Sequence, residues 1–441
     1  MEMIMDNDVY KVAIQNYRKN YEMLLPEINA NIEKYRKGNF KIKVVDKNGI
    51  PVNATIKAEQ KNHAFDFGTA ALRIGDMGDK EQAYRDSVSN LFNLITTTFC
   101  WSVMETESGK YRFEEGSEEI FRRPPSDRVL RFAQENNMRI KGQPLFCGRW
   151  CPDWVPQDLD SLKAYWKSFV KEVARRYDAT FNIFDVVNEF HNYPIGTWKK
   201  VSWIPEPAFD FVKWLLQTAG EMFSDNCIME RNEGTPVNYL ERGERYYREN
   251  KELLEEGIRL DAIGFQFHFM YGEACMDRHI TGDASLHNIY STYHKMATLN
   301  IPMYISEVTI PTVFEGMSQR EGEEFQAEIL EKLYRLWFSI PNMQGVIYWN
   351  FMDGKAWKSE GDADPGLIDG YLRKKTSYYT LEHLIKREWN TCLTSENDDN
   401  GVLAFSGFYG DYDITVITED AVEKKQCFSF DKETDTVTIS M

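Results

Sequence analysis

The sequence predicts an α/β fold, a (β/α)8 TIM barrel with a small β-sandwich-like unit built from the N- and C-terminal segments. Three observations carry this prediction. The chain has 441 residues, eight short β-rich runs alternate with amphipathic helical stretches between about residues 64 and 390, and both ends change to strand patterns. A barrel needs about 250 residues, so one barrel and a smaller companion account for the length.

The eight predicted barrel strands are short apolar or β-branched runs, each followed by a helical stretch. They lie at 64–69, 91–97, 139–146, 184–188, 227–231, 262–269, 303–308 and 345–351. Between them, stretches such as 159–177 and 320–338 repeat apolar residues at spacings of three and four, as an amphipathic helix does. This alternation is typical of a parallel sheet with crossover helices, and eight units predict a closed barrel.

The two chain ends have a different pattern. Residues 7–36 are predicted to be helical, and 40–60 alternate around the turn at 46–49 (DKNG), which predicts a hairpin. Beyond about residue 389, strands are predicted at 401–408, 412–418 and 436–441. Neither end is long enough to bury a core alone, so we expect them to pair. The predicted units are 1–61, a catalytic barrel at 62–390, and 391–441.

Composition excludes several classes of function. The formal net charge of −17 opposes binding of nucleic acid, which requires a basic face, and favours a neutral or mildly decorated substrate. No apolar run approaches the ~20 residues that span a bilayer, and the first residues lack a signal-peptide pattern. We therefore expect a cytoplasmic protein, or a secreted one if a leader has been removed. Seven scattered cysteines indicate reduced thiols rather than a disulfide framework.

Two carboxylates follow predicted barrel strands where barrel enzymes carry their catalytic groups. Glu189 closes the fourth strand and Glu307 closes the seventh. Strands four and seven lie across the barrel mouth from each other, so their ends can supply a facing pair. Two carboxyl groups about 5–5.5 Å apart hydrolyse a glycoside with retention of configuration. The positions therefore predict a retaining glycosidase.

The neighbours of this pair carry a family resemblance. The acid strand is 185–189 (DVVNE) and the nucleophile strand 305–308 (ISEV); the other matching segments are 261–268 (DAIGFQFH), 348–353 (YWNFMD), 152–154 (PDW) and 109–113 (GKYRF). In this order they resemble glycoside hydrolase family 10, the endo-1,4-β-xylanase family, over about residues 64–390. The segments 62–69 and 405–412 are similar to the terminal β segments of some members.

The resemblance implies a role for each matching residue. Glu189 would be general acid and then general base, and Glu307 the nucleophile. His268 would hydrogen-bond Glu307, and Asn188 would bond the sugar 2-hydroxyl. The remaining implied sugar contacts are Gln266, Asn232, Trp349 and Trp357. No metal or organic cofactor is implied, and the partner is a polysaccharide or oligosaccharide.

The chain departs from the family at sugar-contacting positions. In the third strand, Gln143 and Cys147 replace a His and a Trp of typical members, and the second strand lacks the usual Glu-Asn pair and Lys. These replacements predict an altered substrate preference more than a loss of activity. Arg149, Trp150 and Arg231 are new candidates for the mouth, and an Arg fork suits a uronic acid carboxylate.

Three functions follow in order of preference. The first is a retaining hydrolase that cleaves internal β-1,4 linkages of xylan-type polysaccharide through Glu189 and Glu307. The second is a related β-glycanase for an acidic-branched or mixed-linkage glycan. The third is a carbohydrate-binding barrel without turnover. Cys147 and Cys151 lie four residues apart near the predicted mouth, but they lack further identifiable metal ligands.

Overall fold

The computed structural model describes residues 7–234, 240–269, 285–314, 317–354, 356 and 358–441. Its strands in chain order are β1 (Lys37–Val45), β2 (Ala54–His63), β3 (Asp66–Ala70), β4 (Leu94–Thr98), β5 (Glu105–Glu107), β6 (Lys110–Tyr111), β7 (Arg139–Gln143), β8 (Ile183–Asn188), β9 (Ile228–Glu233), β10 (Ala262–His268), β11 (Met303–Thr309), β12 (Met343–Tyr348), β13 (Cys392–Glu396), β14 (Val402–Phe408), β15 (Gly410–Thr418), β16 (Glu423–Phe430) and β17 (Thr436–Ser440).

Eight parallel strands close into a barrel in the order β3-β4-β7-β8-β9-β10-β11-β12, and β12 pairs back onto β3. The predicted (β/α)8 fold is therefore confirmed. All eight predicted strands are present, with ends shifted by no more than about three residues. Their side chains are almost entirely buried, because helices cover the outside and the packed interior fills the barrel.

Helices surround the barrel. They are α1 (Asn7–Arg36), α2 (Glu81–Leu91), α3 (Trp101–Met104), α4 (Ser126–Glu135), α5 (Leu159–Tyr177), α6 (Phe209–Gly220), α7 (Leu240–Glu255), α8 (Leu286–Ala297), α9 (Gln319–Ser339) and α10 (Thr376–His383). The α5 helix has the bounds that its periodicity predicts, and the Asp158 side chain caps it by accepting from the Ser161 N–H at 2.8 Å. Its buried face includes Leu162, Trp166 and Phe169.

The α1 helix packs against the outer helices of the barrel. Arg18 pairs with Glu328 of α9 at 2.7 Å, and Asn31 Nδ2 donates to the Tyr290 hydroxyl of α8 at 2.9 Å. At its end, the buried Arg36 side chain donates to the carbonyl oxygens of Phe338 and Ile340 at 2.5 and 2.6 Å. These contacts give α1 a packing role that its sequence did not reveal.

The terminal strands form two further sheets, as expected from the two chain ends. One has the order β14-β1-β17 and the other β13-β2-β15-β16, so each contains strands from both termini. Their facing side chains make a separate apolar core that includes Phe40, Ile42, Ile56, Ile414 and Ile439. The two sheets therefore bury a face that neither chain end could bury alone.

The predicted hairpin at 40–60 is wrong. The turn exists, since the Gly49 N–H donates to the Asp46 carbonyl at 3.0 Å. However, β1 and β2 leave this turn into different sheets, and beyond the turn their direct link is the isolated bridge between Val45 and Pro51. Because β1 pairs with β14 and β17, and β2 pairs with β13 and β15, tertiary packing overrides the local turn signal.

Within the described ranges, no helix combines the length and apolar character that crossing a membrane requires.

Candidate active site

A cleft of about 130 Å³ opens at the carboxyl ends of the barrel strands. Glu189 and Glu307 both line it, together with Asn188, Gln143 and His268. The strand ends bring these residues together although up to 164 positions separate them along the chain. The structure thus places these five sequence-predicted residues in one cleft.

Glu189 directly follows β8 and has a left-handed backbone, with φ 58° and ψ 37°. Its N–H donates to the Asn232 carbonyl at 3.1 Å, and its own carbonyl accepts from the Asn192 N–H at 3.2 Å. A left-handed conformation costs a non-glycine residue about 1–2 kcal/mol, and surrounding hydrogen bonds hold it in place. The backbone thus leaves the strand at Glu189 in a sharp turn over the cleft.

Gln266 of β10 connects the two carboxylates. Its Nε2 lies 3.0 Å from Glu189 Oε1 and 2.9 Å from Glu307 Oε1. These two oxygens are therefore separated by at most the sum of 3.0 and 2.9 Å, about 5.9 Å. Carboxyl groups of retaining glycosidases lie about 5–5.5 Å apart, whereas inverting enzymes need about 6.5–9.5 Å for a water molecule. The separation fits a pair that acts with retention.

Several hydrogen-bond donors surround the carboxylate of Glu307, a residue that is only 5% exposed. Its Oε1 accepts from Gln143 Nε2, from Gln266 Nε2, and from Asn232 Nδ2 at 3.4 Å. Its Oε2 lies 3.3 Å from His268 Nε2. Donors from three strands, β7, β9 and β10, stabilise a negative charge on this carboxylate and hold its orientation.

A hydrogen-bonded relay extends from His268 away from the carboxylates. His268 Nδ1 lies 3.0 Å from Thr309 Oγ1, which accepts from Asn350 Nδ2 at 3.1 Å. The Asn350 Oδ1 in turn accepts from the guanidinium of Arg122 at 3.2 Å. When the Thr309 hydroxyl donates to Nδ1, the imidazole carries its proton on Nε2 and donates it to Glu307. This relay selects the tautomer that suits a carboxylate partner.

Asn188 and Asn232 form a second layer beneath the pair. Asn188 Oδ1 accepts from Asn232 Nδ2 and from Gln266 Nε2, each at 3.1 Å. Asn232 Oδ1 accepts from the Ser306 hydroxyl at 2.5 Å. The amide groups therefore have fixed orientations, which is what a site that recognises sugar hydroxyls requires.

Buried charges form the floor of the barrel below this layer. Lys141 and Glu230 are fully buried and pair at 2.5 Å. Burial raises the pKa of Asp185 well above its ordinary value, and the nearby Lys141 only partly offsets this effect. Gly264 lies against the pair, since a Cβ there would sit 2.3 Å from Glu230 Oε1. A glycine is thus required by the close approach of the carboxylate.

Arg231 does not reach the cleft, contrary to the expectation from sequence. Its side chain is fully buried, and it pairs with Glu249 of α7 and donates to Asn250 Oδ1 at 3.0 Å. The reason is strand alternation: Glu230 and Asn232 point into the barrel, so Arg231 points outward toward the helices. It is a packing residue between β9 and α7.

Other expected residues are placed as follows. Trp349 and Arg149 line the cleft, Arg149 with an exposed side chain, while Trp357 lies outside the described residues.

Cys147 and Cys151 are buried free thiols. Burial raises the pKa of Cys147 well above its ordinary value and that of Cys151 to about 12, so both stay protonated and are poor nucleophiles or metal ligands. No cluster of three or more possible metal ligands occurs among the described residues.

Sequence reasoning missed five residues that line the cleft, namely Thr98, Cys100, Arg122, Arg123 and Pro144. Arg122 and Arg123 come from the loop between β6 and α4, and Cys100 follows β4. Thr309 and Asn350 also escaped notice as members of the relay. In the sequence, the two adjacent arginines at 122 and 123 were the visible sign that this loop could supply charge to the cleft. A loop without periodicity does not reveal which side of the barrel it covers.

A family model described as Glycosyl hydrolase family 10 matches residues 55–384 of the chain. The chain is 28% identical over 408 residues to the Anti-sigma-I factor RsgI6 of Acetivibrio thermocellus, a match covering 89% of this chain and 46% of that protein. It is 24% identical over 347 residues to Endo-1,4-beta-xylanase B of Thermotoga neapolitana, covering 76% of this chain and 91% of that protein. The chain thus spans less than half the length of the RsgI6 relative.

Solved structures show the same fold. The crystal structure of xylanase 10B from Thermotoga petrophila RKU-1 in complex with xylobiose has a TM-score of 0.60 at 23% identity, covering 74% of this chain and 95% of that one. The native xylanase 10B from Thermotoga maritima also has a TM-score of 0.60, at 22% identity and with 74% and 96% coverage. The family resemblance seen in the sequence is confirmed, because the matched residues cover the whole barrel. The chain belongs to glycosyl hydrolase family 10.

Proposed function

We propose that this protein is a retaining glycoside hydrolase that cleaves internal β-1,4 linkages of xylan-type polysaccharide by double displacement. The observation that carries the proposal is the link through Gln266 Nε2, which keeps Glu189 Oε1 and Glu307 Oε1 within about 5.9 Å. Membership of family 10 supports the polysaccharide class, and the relatives named endo-1,4-beta-xylanases support xylan.

In this mechanism Glu307 attacks the anomeric carbon while Glu189 protonates the leaving oxygen. The bond from the anomeric carbon to that oxygen breaks, and a covalent glycosyl–Glu307 ester forms. Glu189, now a carboxylate, removes a proton from water, which displaces Glu307 from the anomeric carbon. Glu307 is suited to attack because its donors hold it in one orientation, and Glu189 is the more accessible of the two carboxylates.

The amides around the pair have a proposed role in transition-state binding. Asn188 lies beside Glu189, and its Oδ1 accepts from Asn232 and Gln266, which leaves its amide nitrogen as the donor that we propose for the 2-hydroxyl of the reacting sugar. Such contacts strengthen as the ring flattens toward an oxocarbenium ion. Trp349 and Gln143 line the same cleft and complete the proposed sugar-binding surface.

The first test separates the roles of the carboxylates. We expect Glu307→Ala to lose at least about 10⁴-fold in kcat on every aryl β-xylobioside, because no nucleophile remains. We expect Glu189→Ala still to form the glycosyl–Glu307 intermediate from a dinitrophenyl xylobioside, because dinitrophenolate leaves without protonation. With substrates that have poorer leaving groups, we expect this variant to lose formation of the intermediate. Glu324→Gln, an exposed carboxylate on α9, is the matched control. Comparable turnover by either alanine variant would refute the assignment.

The second test identifies the nucleophile directly. A 2-deoxy-2-fluoro xylobioside should inactivate the enzyme, and mass spectrometry should find the sugar on the peptide that contains Glu307. Azide should rescue Glu189→Ala with a β-glycosyl azide product, and Glu307→Ala with an α-glycosyl azide. Label on another residue would overturn the proposed mechanism.

A binding barrel without turnover is the rival function. A relative named as an anti-sigma-I factor, rather than as a glycosidase, makes this rival worth testing. The connected pair argues against it, because a site that only binds has no chemical need for an acid and a nucleophile within 5.9 Å. Xylan affinity without release of any oligosaccharide, by the wild-type chain, would favour the rival.

A further inference from the structure

Arginines also line the cleft, and the proposed hydrolysis makes no use of two of them, Arg123 and Arg149. Arg122 and Arg123 come from the loop between β6 and α4, and Arg149 follows β7. All three line the same cleft as Glu189 and Glu307. The chain as a whole carries a formal net charge of −17, so three cations in one small cleft oppose the overall charge.

Arg123 is held in place by neutral groups. Its guanidinium carbon lies 5.1 Å from the centre of the Trp150 ring, and its Nη1 donates to the Arg122 carbonyl oxygen at 2.9 Å. Its Nε is buried and has no hydrogen-bond acceptor among the described residues. A carbonyl and an aromatic face orient a guanidinium without neutralising its charge.

Arg122 is almost completely buried, at 3% exposure, and its Nη2 donates to the neutral amide of Asn350. Arg149 is exposed beside Trp150 at the rim. Among the described residues, no carboxylate lies within 4.0 Å of the guanidinium nitrogens of Arg123 or Arg149. Elsewhere on this protein, arginines such as Arg175 and Arg320 pair with a neighbouring carboxylate. The guanidinium groups of Arg123 and Arg149 therefore keep positive charge available to a ligand.

A ligand in this cleft also reaches the catalytic carboxylates, because one cleft contains both sets of residues. The planar guanidinium matches a carboxylate with two parallel hydrogen bonds, and Trp150 offers a ring face to a sugar. We propose that Arg123 and Arg149 form an anion-binding subsite that takes the carboxylate of a uronic acid residue on the glycan. This subsite deepens the proposed function, on which its link to turnover rests.

The test compares two sets of ligands that differ only at the carboxylate. In the first set, each xylotetraose carries one glucuronic acid branch, placed on a different xylose unit in each member. In the second set, the carboxyl group of that branch is reduced to the alcohol. Affinities are measured by calorimetry on the 441-residue Glu307→Gln chain, from which the proposed nucleophile has been removed, and chromatography checks that the ligands stay intact. We expect at least one acidic ligand to bind about tenfold more tightly than its reduced twin.

The arginine variants assign this preference to the subsite. In Arg123→Met/Arg149→Met we expect the tenfold gap to shrink to about twofold, while affinity for the reduced twin and the melting temperature stay unchanged. Arg320→Met, which removes a charge from an exposed helix, should keep the gap. Arg122 is not substituted because its burial makes a folding defect difficult to separate.

Two outcomes would contradict the proposed subsite. The first is equal affinity for every acidic ligand and its reduced counterpart. The second is a tenfold difference in affinity that remains in the double variant. Both outcomes are differences in affinity and do not depend on catalysis. The binding result therefore stands even if the Glu189 and Glu307 tests contradict the proposed mechanism. Conversely, hydrolysis of neutral xylan without any acidic preference would retain the proposed function and exclude the subsite.

Discussion

At the scale of single residues, His268 is the best example of a side chain whose surroundings define its role. Its two ring nitrogens contact Thr309 Oγ1 and Glu307 Oε2, so in the proposed mechanism it orients Glu307 without reacting itself. We expect His268→Ala to lower kcat by about 100-fold with little change in KM, since small displacements of a reacting group cost about this much.

Steady-state kinetics on an aryl β-xylobioside measure this effect, and a melting curve checks the fold. His383→Ala, at the exposed end of α10, is the matched control. Thr309→Val should produce a smaller loss, because it removes the hydroxyl that selects the imidazole tautomer. A His268→Ala enzyme with wild-type kcat would show that Gln143 and Gln266 orient Glu307 without it.

Arg231 has the opposite character, because its contacts predict an effect on stability rather than on binding. Its guanidinium pairs with Glu249, which is itself only 12% exposed. Removing one partner of a buried pair leaves the other charge uncompensated, at a cost of about 3–5 kcal/mol. We expect Arg231→Met to lower the free energy of unfolding by this amount, measured in urea, and Arg175→Met to change it by less than about 0.5 kcal/mol. If Arg231→Met instead bound sugar more weakly and kept the stability of the wild type, Arg231 would belong to the sugar-binding surface.

Buried Asp66 makes stability depend on pH in an unusual direction. Burial raises its pKa to about 6, although Arg139 partly offsets this. Because the folded state holds the proton more tightly than the unfolded state, the stabilisation is complete below about pH 4 and is lost as the pH rises through about 6. Urea unfolding from pH 4 to 7 should show this fall.

In Asp66→Asn we expect the fall to be roughly 3 kcal/mol smaller, since each pKa unit corresponds to about 1.4 kcal/mol. Asp353, whose pKa burial also raises to about 6, contributes with the same sign and remains in the variant. An unchanged pH profile would mean that Asp66 carries its charge equally well in both states.

At the scale of elements, the barrel strands position the site through their ends and through close packing between neighbours. Gly264 of β10 is the clearest case, because a Cβ there would lie 2.3 Å from Glu230 Oε1 and 2.7 Å from Asn232 Oδ1. We expect Gly264→Ala to cost about 1–3 kcal/mol of unfolding free energy and also to lower kcat, since Asn232 contacts Glu307. Gly116→Ala, with nothing within 4 Å of the new Cβ, should change neither quantity. Wild-type activity in Gly264→Ala would contradict this coupling.

At the scale of the whole molecule, the two chain ends depend on each other. We propose that 1–61 and 391–441 support a catalytic barrel at 62–390, with β1 paired to β14 and β17, and β2 paired to β13 and β15. Deleting 391–441 would expose Phe40, Ile42 and Ile56 along two unpaired strands. We expect the truncated chain to aggregate, measured by size-exclusion chromatography and soluble yield. A monomeric product with an unchanged melting temperature would show that the barrel stands alone.

Much of the fold could be predicted because barrel strands and helices carry strong periodic patterns. The α5 helix has its predicted bounds, and each of the eight strands was located to within about three residues. The hairpin at 40–60 failed because a turn signal is local, whereas the choice of strand partner depends on which apolar faces are buried together. Strands β13 and β16 escaped for a related reason, since their side chains are largely exposed and lack a clear apolar face.

By itself the sequence determined the barrel, its family and the residues that close its strands, because these depend on periodicity and on short motifs. Only the tertiary structure decided which of those residues share a cleft: it joined Glu189 to Glu307 through Gln266, turned Arg231 away, and brought in Arg122 and Arg123. The physical reason is that strand alternation and loop paths, which set the direction of each side chain, depend on contacts between residues far apart in the chain.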